Sequence, residues 1–190
     1  MKRFRILPLA ALMVASVGAQ AAGFSYDYVE ASLGEYDSLD GFYVGGAMGL
    51  NEQIGLLGSV GMFDDGPFDV TVIRGGGLFH TNLQKDLDLF ASLEIVYADF
   101  EVQVCGLGNC FGASDDDLGF GAAGGLRYAV QDNFQLEGKL TLTESDAFDS
   151  DLGISLNGRY YFNKQFSGAL GIASDAEFDG VYLNARYDLK

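Results

Sequence analysis

The feature that most constrains this chain is a two-residue alternation of apolar with polar or small side chains. In residues 87–97 the odd positions are apolar, whereas the even positions include Asp88 and Glu94. The same alternation recurs in residues 134–143 and 152–162. Successive side chains of a β-strand point to opposite faces, so each segment has one apolar face and one polar or small face. A soluble β-sandwich can show the same alternation, but opposite charges on the polar faces, together with an N-terminal export leader, favour a barrel that is apolar outside and polar inside, as in membrane-spanning β-barrels.

Alternation and turn-forming residues together predict ten strands. They cover residues 24–34, 40–50, 54–63, 70–80, 87–100, 118–130, 134–144, 151–162, 166–174 and 180–189. The connections alternate between short, weakly charged ones and longer acidic ones, of which the longest is predicted at residues 99–117. Short periplasmic turns opposite longer external loops are typical of outer-membrane barrels. The predicted fold is all-β, a closed antiparallel transmembrane β-barrel of ten strands. Eight strands are the alternative if the weakly patterned segments 54–62 and 166–172 are not strands.

Aromatic residues are concentrated near both ends of the predicted strands. Tyr128 and Phe134 flank one short connection, while Phe63, Phe68 and Phe100 lie near the opposite edge. This distribution predicts two aromatic girdles, one at each membrane interface.

The first residues have the three parts of a secretory signal peptide. The basic residues Lys2, Arg3 and Arg5 precede an apolar run, which ends at the small-x-small cleavage site Ala19-Gln20-Ala21. The run is shorter than the roughly 20 residues of a spanning helix. The predicted division is a signal peptide, residues 1–21, and one outer-membrane β-barrel domain, residues 22–190.

The chain is strongly acidic, with 27 acidic and 11 basic residues and a formal net charge of −16. This charge repels nucleic acid, so no nucleic-acid partner is expected. The acidic loops are interpreted first as solvated segments. The run Asp115, Asp116 and Asp117 is the best candidate for weak binding of Ca²⁺ or Mg²⁺, because these cations prefer oxygen ligands. No other cofactor is predicted.

The two cysteines, Cys105 and Cys110, lie close together in a glycine-rich segment. In an exported chain this spacing predicts a disulfide that pins a loop tip, with free thiols as the alternative. The single histidine, His80, lies far from both in the sequence, which disfavours a zinc site. No flanking pattern supplies His80 with a nucleophile, so we expect a protein that is not an enzyme.

Basic and acidic residues also occur inside the predicted strands, on the face opposite the apolar one. The predicted lumen set is Arg74, Glu94, Arg127, Glu137, Lys139, Arg159 and Arg186, with Glu30, Asp88 and Asp188 as further acidic partners. We favour an internal ion-pair network that fills a narrow lumen. The alternative is a selectivity lining for a pore.

In its signal peptide, its opening Tyr26-Asp27-Tyr28-Val29-Glu30 and its closing strand, the chain resembles small Gram-negative outer-membrane β-barrel proteins. The closing strand keeps the family's every-second-residue assembly pattern at Val181, Leu183, Ala185, Tyr187 and Leu189, with leucine in place of the terminal aromatic and Lys190 after it. The resemblance implies the outer membrane as location, with membrane lipid, lipopolysaccharide and the barrel-assembly machinery as partners. The expected function is non-enzymatic surface interaction, with an unidentified extracellular partner, or an envelope role through acidic, disulfide-pinned loops. The alternative is a narrow channel for small polar solutes or ions.

Overall fold

The computed structural model describes residues 24–36, 39–66, 68–106, 109–144, 151–174 and 179–189. These residues form ten β-strands: β1 (Tyr28–Tyr36), β2 (Leu39–Gly49), β3 (Ile54–Asp65), β4 (Phe68–Gln84), β5 (Leu87–Gly106), β6 (Asn109–Gln131), β7 (Phe134–Glu144), β8 (Asp151–Tyr161), β9 (Phe166–Ser174) and β10 (Asp179–Asp188). The ten predicted strands are confirmed, and the eight-strand alternative is wrong because β3 and β9 are both present. The predicted signal peptide lies outside the described residues. Among the residues described, no helix is long and apolar enough to cross a membrane.

The strands form a closed antiparallel barrel. Each strand pairs with its neighbours in sequence, and β1 pairs with β10 from Tyr28 opposite Asp188 to Tyr36 opposite Gly180. Closure leaves no strand edge without a partner, so the backbone groups of the ladder are satisfied within the protein. This is the condition that a β-structure must meet inside hydrocarbon, where no water can bond to the backbone.

The outer surface of the barrel is apolar. Leu93 and Phe120, for example, expose 73% and 69% of their surface. Other exposed apolar residues are Leu33, Val44, Leu56, Ile73, Leu140, Ile154, Leu170 and Leu183. Soluble monomers rarely expose apolar patches of more than a few hundred Å², so this surface is suited to contact lipid. The closing strand follows the same pattern, with Val181, Tyr187 and Leu189 exposed.

The two ends of the barrel differ. We call the end with residues 50–53, 85–86, 132–133 and 162–165 the short-turn end and the opposite end the long-loop end. Both Phe24 and Leu189 lie at the short-turn end. The connection predicted at residues 99–117 is mostly strand, because β5 continues to Gly106 and β6 begins at Asn109. Acidic residues have low β-propensity, so the sequence alone predicts a loop here. In the structure, cross-strand pairing overrides this propensity.

Aromatic residues face outward at the short-turn end, where Phe79, Tyr128, Tyr160, Phe166 and Tyr187 are all partly exposed. At the long-loop end Phe68 and Phe120 also face outward. Phe63 and Phe100 instead line the lumen, so their predicted place in a girdle is wrong. Both side chains point inward because side chains alternate between the two faces along a strand. A position near the strand end does not change this alternation.

Candidate functional site in the barrel lumen

The polar faces of the strands meet inside the barrel around a cavity of about 460 Å³. All seven residues of the predicted lumen set line it: Arg74, Glu94, Arg127, Glu137, Lys139, Arg159 and Arg186. Glu30 lines it as well. Asp88 and Asp188 lie at the short-turn end, where each exposes 1% of its surface. The lumen therefore brings positive and negative side chains together on the inward faces of the strands.

One cluster, which we call the Glu30 network, joins β1 to β8, β9 and β10. Arg186 donates from Nε and Nη2 to Glu30 Oε2 at 2.9 and 2.7 Å, and Arg159 Nη2 lies 3.6 Å from the same oxygen. Arg159 also donates to Ser167 Oγ at 3.1 Å and to Asn184 Oδ1 at 2.7 Å. Because β1 and β10 are the strands that close the barrel, this network connects the two sides of the closing ladder.

A second cluster lies around Arg127 on β6 and Glu137 on β7, which are direct cross-strand partners. Arg127 Nε donates to Glu137 Oε2 at 2.6 Å. Asn157 Nδ2 lies 3.3 Å from Glu137 Oε1 and 3.2 Å from Tyr182 Oη, within hydrogen-bond reach of both. The Arg127 guanidinium also lies 5.1 Å from the centroid of the Phe90 ring, within cation–π range. The hydrogen bond between Arg127 and Glu137 joins two charged groups, and such a bond is stronger than one between neutral groups.

Residues 24–27, the N-terminal segment, precede β1 and enter the short-turn end of the lumen. The Tyr26 ring stacks on His80 with the ring centroids 3.8 Å apart, and its hydroxyl donates to Asp88 Oδ2 at 2.5 Å. The Arg127 guanidinium lies 4.6 Å from the centroid of the same ring. Burial raises the pKa of the Tyr26 hydroxyl well above its usual value, so the hydroxyl keeps its proton and remains a donor.

Three residues of the predicted lumen set lie apart from these clusters. Within the described ranges, neither Arg74 nor Lys139 has a carboxylate oxygen within 4.0 Å. Glu94 accepts a hydrogen bond from Ser92 Oγ at 2.7 Å. The register explains the separation, because the direct cross-strand neighbours of Arg74 and Lys139 are uncharged: Ser59, Val96, Gly125 and Ser155.

Glycines in the wall keep the cavity open. Tyr182 lies over Gly171, its cross-strand neighbour, so that a Cβ on this glycine would be 2.5 Å from the tyrosine Oη. Phe90 lies over Gly125 in the same way, with 2.5 Å between such a Cβ and the phenylalanine Cζ. Without these glycines the rings would have to turn away from the wall into the lumen. Strand glycine often marks such a close approach.

The residues of the predicted cation site lie on a strand and not in a loop. Asp115, Asp116 and Asp117 lie in the outer part of β6, where neighbouring side chains point to opposite faces. In the part of the chain that the structure describes, no three His, Cys, Asp or Glu side chains are placed to hold a metal ion. The backbone positions of Cys105 and Cys110 are direct cross-strand partners. Their side chains, and therefore the predicted disulfide, lie outside the described residues.

A row of carboxylates, which we call the acidic row, follows the long-loop end across β1 to β5. Its members are Glu35, Asp40, Asp64, Asp69 and Glu101, and each is the direct cross-strand partner of the next. All five are exposed. Directly opposite side chains have Cβ atoms about 4.5–5.5 Å apart, and like charges at this distance repel. The sequence places these five residues in three separate predicted connections, so only the register shows that they are aligned.

The predicted lumen set omits Tyr26, Asn157 and Asn184. Asn157 and Asn184 lie on the same strand faces as Arg159 and Arg186, so alternation alone places them inside. Tyr26 lies at an even position, as Glu30 does. If the alternation of β1 is continued to residue 26, it predicts an inward side chain there, although residue 26 precedes the strand.

No family model and no curated protein matches the chain. Among solved structures it is similar to the KdgM porin, with 8% identity, 86% of this chain and 99% of that chain covered, and a TM-score of 0.52. It is also similar to the NanC porin, with 7% identity, 85% and 100% coverage and a TM-score of 0.52. At such low sequence identity, the structural similarity shows a similar fold and nothing about function.

The closed ten-stranded barrel, its apolar exterior and its polar lumen define an integral outer-membrane β-barrel protein. Its location is the cell outer membrane, because this exterior needs lipid and this fold is the one found in that membrane.

Proposed function

We propose that the protein is a non-enzymatic outer-membrane protein that acts at the cell surface through its long-loop end. The observation that carries this proposal is the length of the β5–β6 hairpin. The strands β5 and β6 have 20 and 23 residues, whereas crossing the membrane takes only about 9–11. The last residue pair between β6 and β7 is Phe120 with Glu144, so residues 109–119 of β6 extend beyond it. At about 3.3 Å per residue this is roughly 35 Å of strand.

In this proposal the long-loop end is extracellular and the short-turn end is periplasmic, as in other barrels of this class. A disulfide between Cys105 and Cys110 would hold the tip of the hairpin, since the two residues are opposite each other in the ladder. The loop-entropy contribution of so short a ring is about 2 kcal/mol at most. Alkylation of cysteines before and after reduction, read by mass spectrometry, tests this bond.

The proposed partner of the long-loop end is lipopolysaccharide. The longer acidic connections that the sequence predicts contain no lysine or arginine, so direct salt bridges to lipid phosphates are not available there; they cover residues 35–40, 64–69, 99–117, 144–151 and 175–179. Mg²⁺ or Ca²⁺ would bridge carboxylate and phosphate oxygens, which both cations accept as ligands. The acidic row supports this proposal, because five aligned carboxylates repel one another and gain from counter-ions.

Hydrogen exchange of β2–β6 in vesicles tests the proposed contact. With Mg²⁺ present, exchange near the acidic row should be slower in lipopolysaccharide vesicles than in phosphatidylcholine vesicles, and a chelator should remove the difference. The double variant Asp64→Asn, Asp69→Asn should lose part of the protection, whereas Asp132→Asn at the short-turn end should not. Equal exchange in both vesicle types would contradict a lipopolysaccharide contact.

A second candidate function is a narrow channel for small polar solutes or ions. The cavity of about 460 Å³, with charges of both signs in its wall, favours it. Against continuous conduction, Tyr26 and the two ion-pair clusters lie across the short-turn end, where Tyr26, Arg127, Arg159 and Arg186 each expose 5% or less of their surface. We therefore expect little steady conductance from the wild type in planar bilayers. Large steady currents would contradict the closed lumen and make conduction the main function.

A further inference from the structure

The N-terminal segment is attached to the barrel differently from the strands. The backbone hydrogen bond described for residues 24–27 outside the ladders is Leu189 N to Asp27 O, at 2.8 Å. Further described contacts of the segment use side chains, and one of them is Arg127 Nη1, which donates to Ser25 O at 3.3 Å. The strands, in contrast, are held by continuous ladders. No ladder pair of the described strands includes residues 24–27, so withdrawal of the segment would leave the ladders themselves intact.

The segment also occupies one half of the lumen at the short-turn end. Tyr26 belongs to an apolar cluster with Ala47 of β2, Leu78 of β4 and Phe90 of β5, against which Leu57 of β3 also packs. The other half, toward β8, β9 and β10, is filled by the Glu30 network, whose side chains are fixed to strands. Of the residues that narrow the short-turn end, those of the N-terminal segment are the ones that do not belong to a strand.

We propose that residues 24–27 are a removable gate, whose withdrawal connects the lumen cavity to the short-turn end and turns a closed cavity into a continuous passage. This inference rests on the channel as the second candidate function. After withdrawal, Asp88 loses the Tyr26 hydroxyl and faces the passage, while Arg127 keeps its bond to Glu137. The opened passage therefore retains charges of both signs and suits small ions and polar solutes.

The structure also offers a way to hold the gate closed. Gly49 N donates to Asp27 Oδ1 at 3.0 Å, and a Cβ on Gly49 would lie 3.8 Å from Asp27 Cγ. In the double variant Asp27→Cys, Gly49→Cys, the sulfur of the first cysteine would replace Asp27 Cγ, so it would lie next to the second cysteine and a disulfide can form after a small side-chain rotation. Oxidation would fix the segment to the end of β2, and reduction would release it. Cys105 and Cys110 are replaced by serine in these proteins so that the new bond is the only one formed.

The first test measures single-channel currents in planar bilayers. Tyr26→Ala should increase the open fraction at least roughly tenfold, because a buried hydrogen bond to a carboxylate is lost together with the ring. Tyr26→Phe, which keeps the ring, should give a smaller increase. Tyr187→Ala, a tyrosine on the outer face near the same end, should leave the open fraction unchanged. Heat-modifiable gel mobility verifies that each variant is a folded barrel.

The second test separates the gate from the channel. Ala123→Cys places a thiol in the cavity wall, two inward positions beyond Arg127 on β6, where a small thiol reagent added at the short-turn end can reach it only through the gate. The gate predicts fast labelling in the Tyr26→Ala background and slow labelling in the oxidised Asp27→Cys, Gly49→Cys background. Fast labelling without current would uphold the gate and contradict the channel. Equal labelling in both backgrounds, or equal currents from oxidised and reduced protein, would overturn the gate.

Discussion

Arg127 and Lys139 show, at the scale of single residues, how the register determines the role of a charge. Both are cations on the inward faces of adjacent strands and both line the cavity. Arg127 is opposite Glu137 and Asp88, whereas Lys139 is opposite Gly125 and Ser155. One cation is therefore held in a buried ion pair, and the other has no carboxylate oxygen within 4.0 Å in the described residues.

Replacing these two cations should have different effects on stability. Arg127→Met leaves Glu137 buried without its partner, and breaking such a pair costs about 3–5 kcal/mol. Lys139→Met should cost much less. The double variant Arg127→Met, Glu137→Leu should recover most of the loss, because no lone charge remains. Urea unfolding in detergent micelles, followed by far-UV circular dichroism because the chain has no tryptophan, measures all three. Equal losses for the two single variants would contradict the assignment of the pair.

The contact of Tyr182 with Gly171 gives a second prediction at this scale. Gly171→Ala forces the tyrosine ring off the wall and disturbs its contact with Asn157, and overpacking of this kind costs about 1–3 kcal/mol. Adding Tyr182→Ala should restore part of the stability by removing the collision. Gly77→Ala is the matched control, because its added Cβ would meet nothing within 4 Å. The same unfolding measurement applies, and a loss at Gly77 as large as at Gly171 would refute the explanation.

At the scale of elements, the acidic row makes the long-loop ends of β1 to β5 sensitive to salt. Asp64→Asn and Asp69→Asn should each stabilise the barrel at low salt, by about 0.2–1 kcal/mol, because they relieve repulsion between directly opposite carboxylates. The gain in stability should nearly vanish at about 1 M salt, where the Debye length is roughly 3 Å. Urea midpoints at the two salt concentrations measure it, with Asp132→Asn as control. A gain that is independent of salt would indicate a cause other than charge.

The strands could be predicted from the sequence because a strand with one apolar face has apolar residues at every second position. The faces of Arg74, Arg127 and Arg159 followed from the same alternation. What each charge contacts depends on the register, which joins residues far apart in the chain and leaves no local signal. For this reason the acidic row and the separation of Arg74 and Lys139 from the ion-pair clusters emerged only from the structure. The outer part of the β5–β6 hairpin was missed because its acidic residues resemble a loop.

At the scale of the whole molecule, the two ends of the barrel should face different compartments. Epitope tags inserted at Asp65-Gly66 and at Asp149-Ser150, the latter outside the described residues, should be labelled on intact cells. A tag at Asp132-Asn133 should be labelled only after the outer membrane is permeabilised, which also shows that the tag is accessible to its antibody. Labelling of the Asp132-Asn133 tag on intact cells would contradict the orientation.

The pairing of β1 with β10 also determines when the protein can finish folding. Glu30 and Arg186, which bond across this ladder, are 156 residues apart, so their contact forms only after the last strand has been delivered. Until then β1 has a free edge that invites pairing with other chains. Contacts between such distant parts of a chain form slowly. A chain cut short before β10 would keep that edge exposed and leave Glu30 without its arginine, which makes it a natural target for periplasmic proteases.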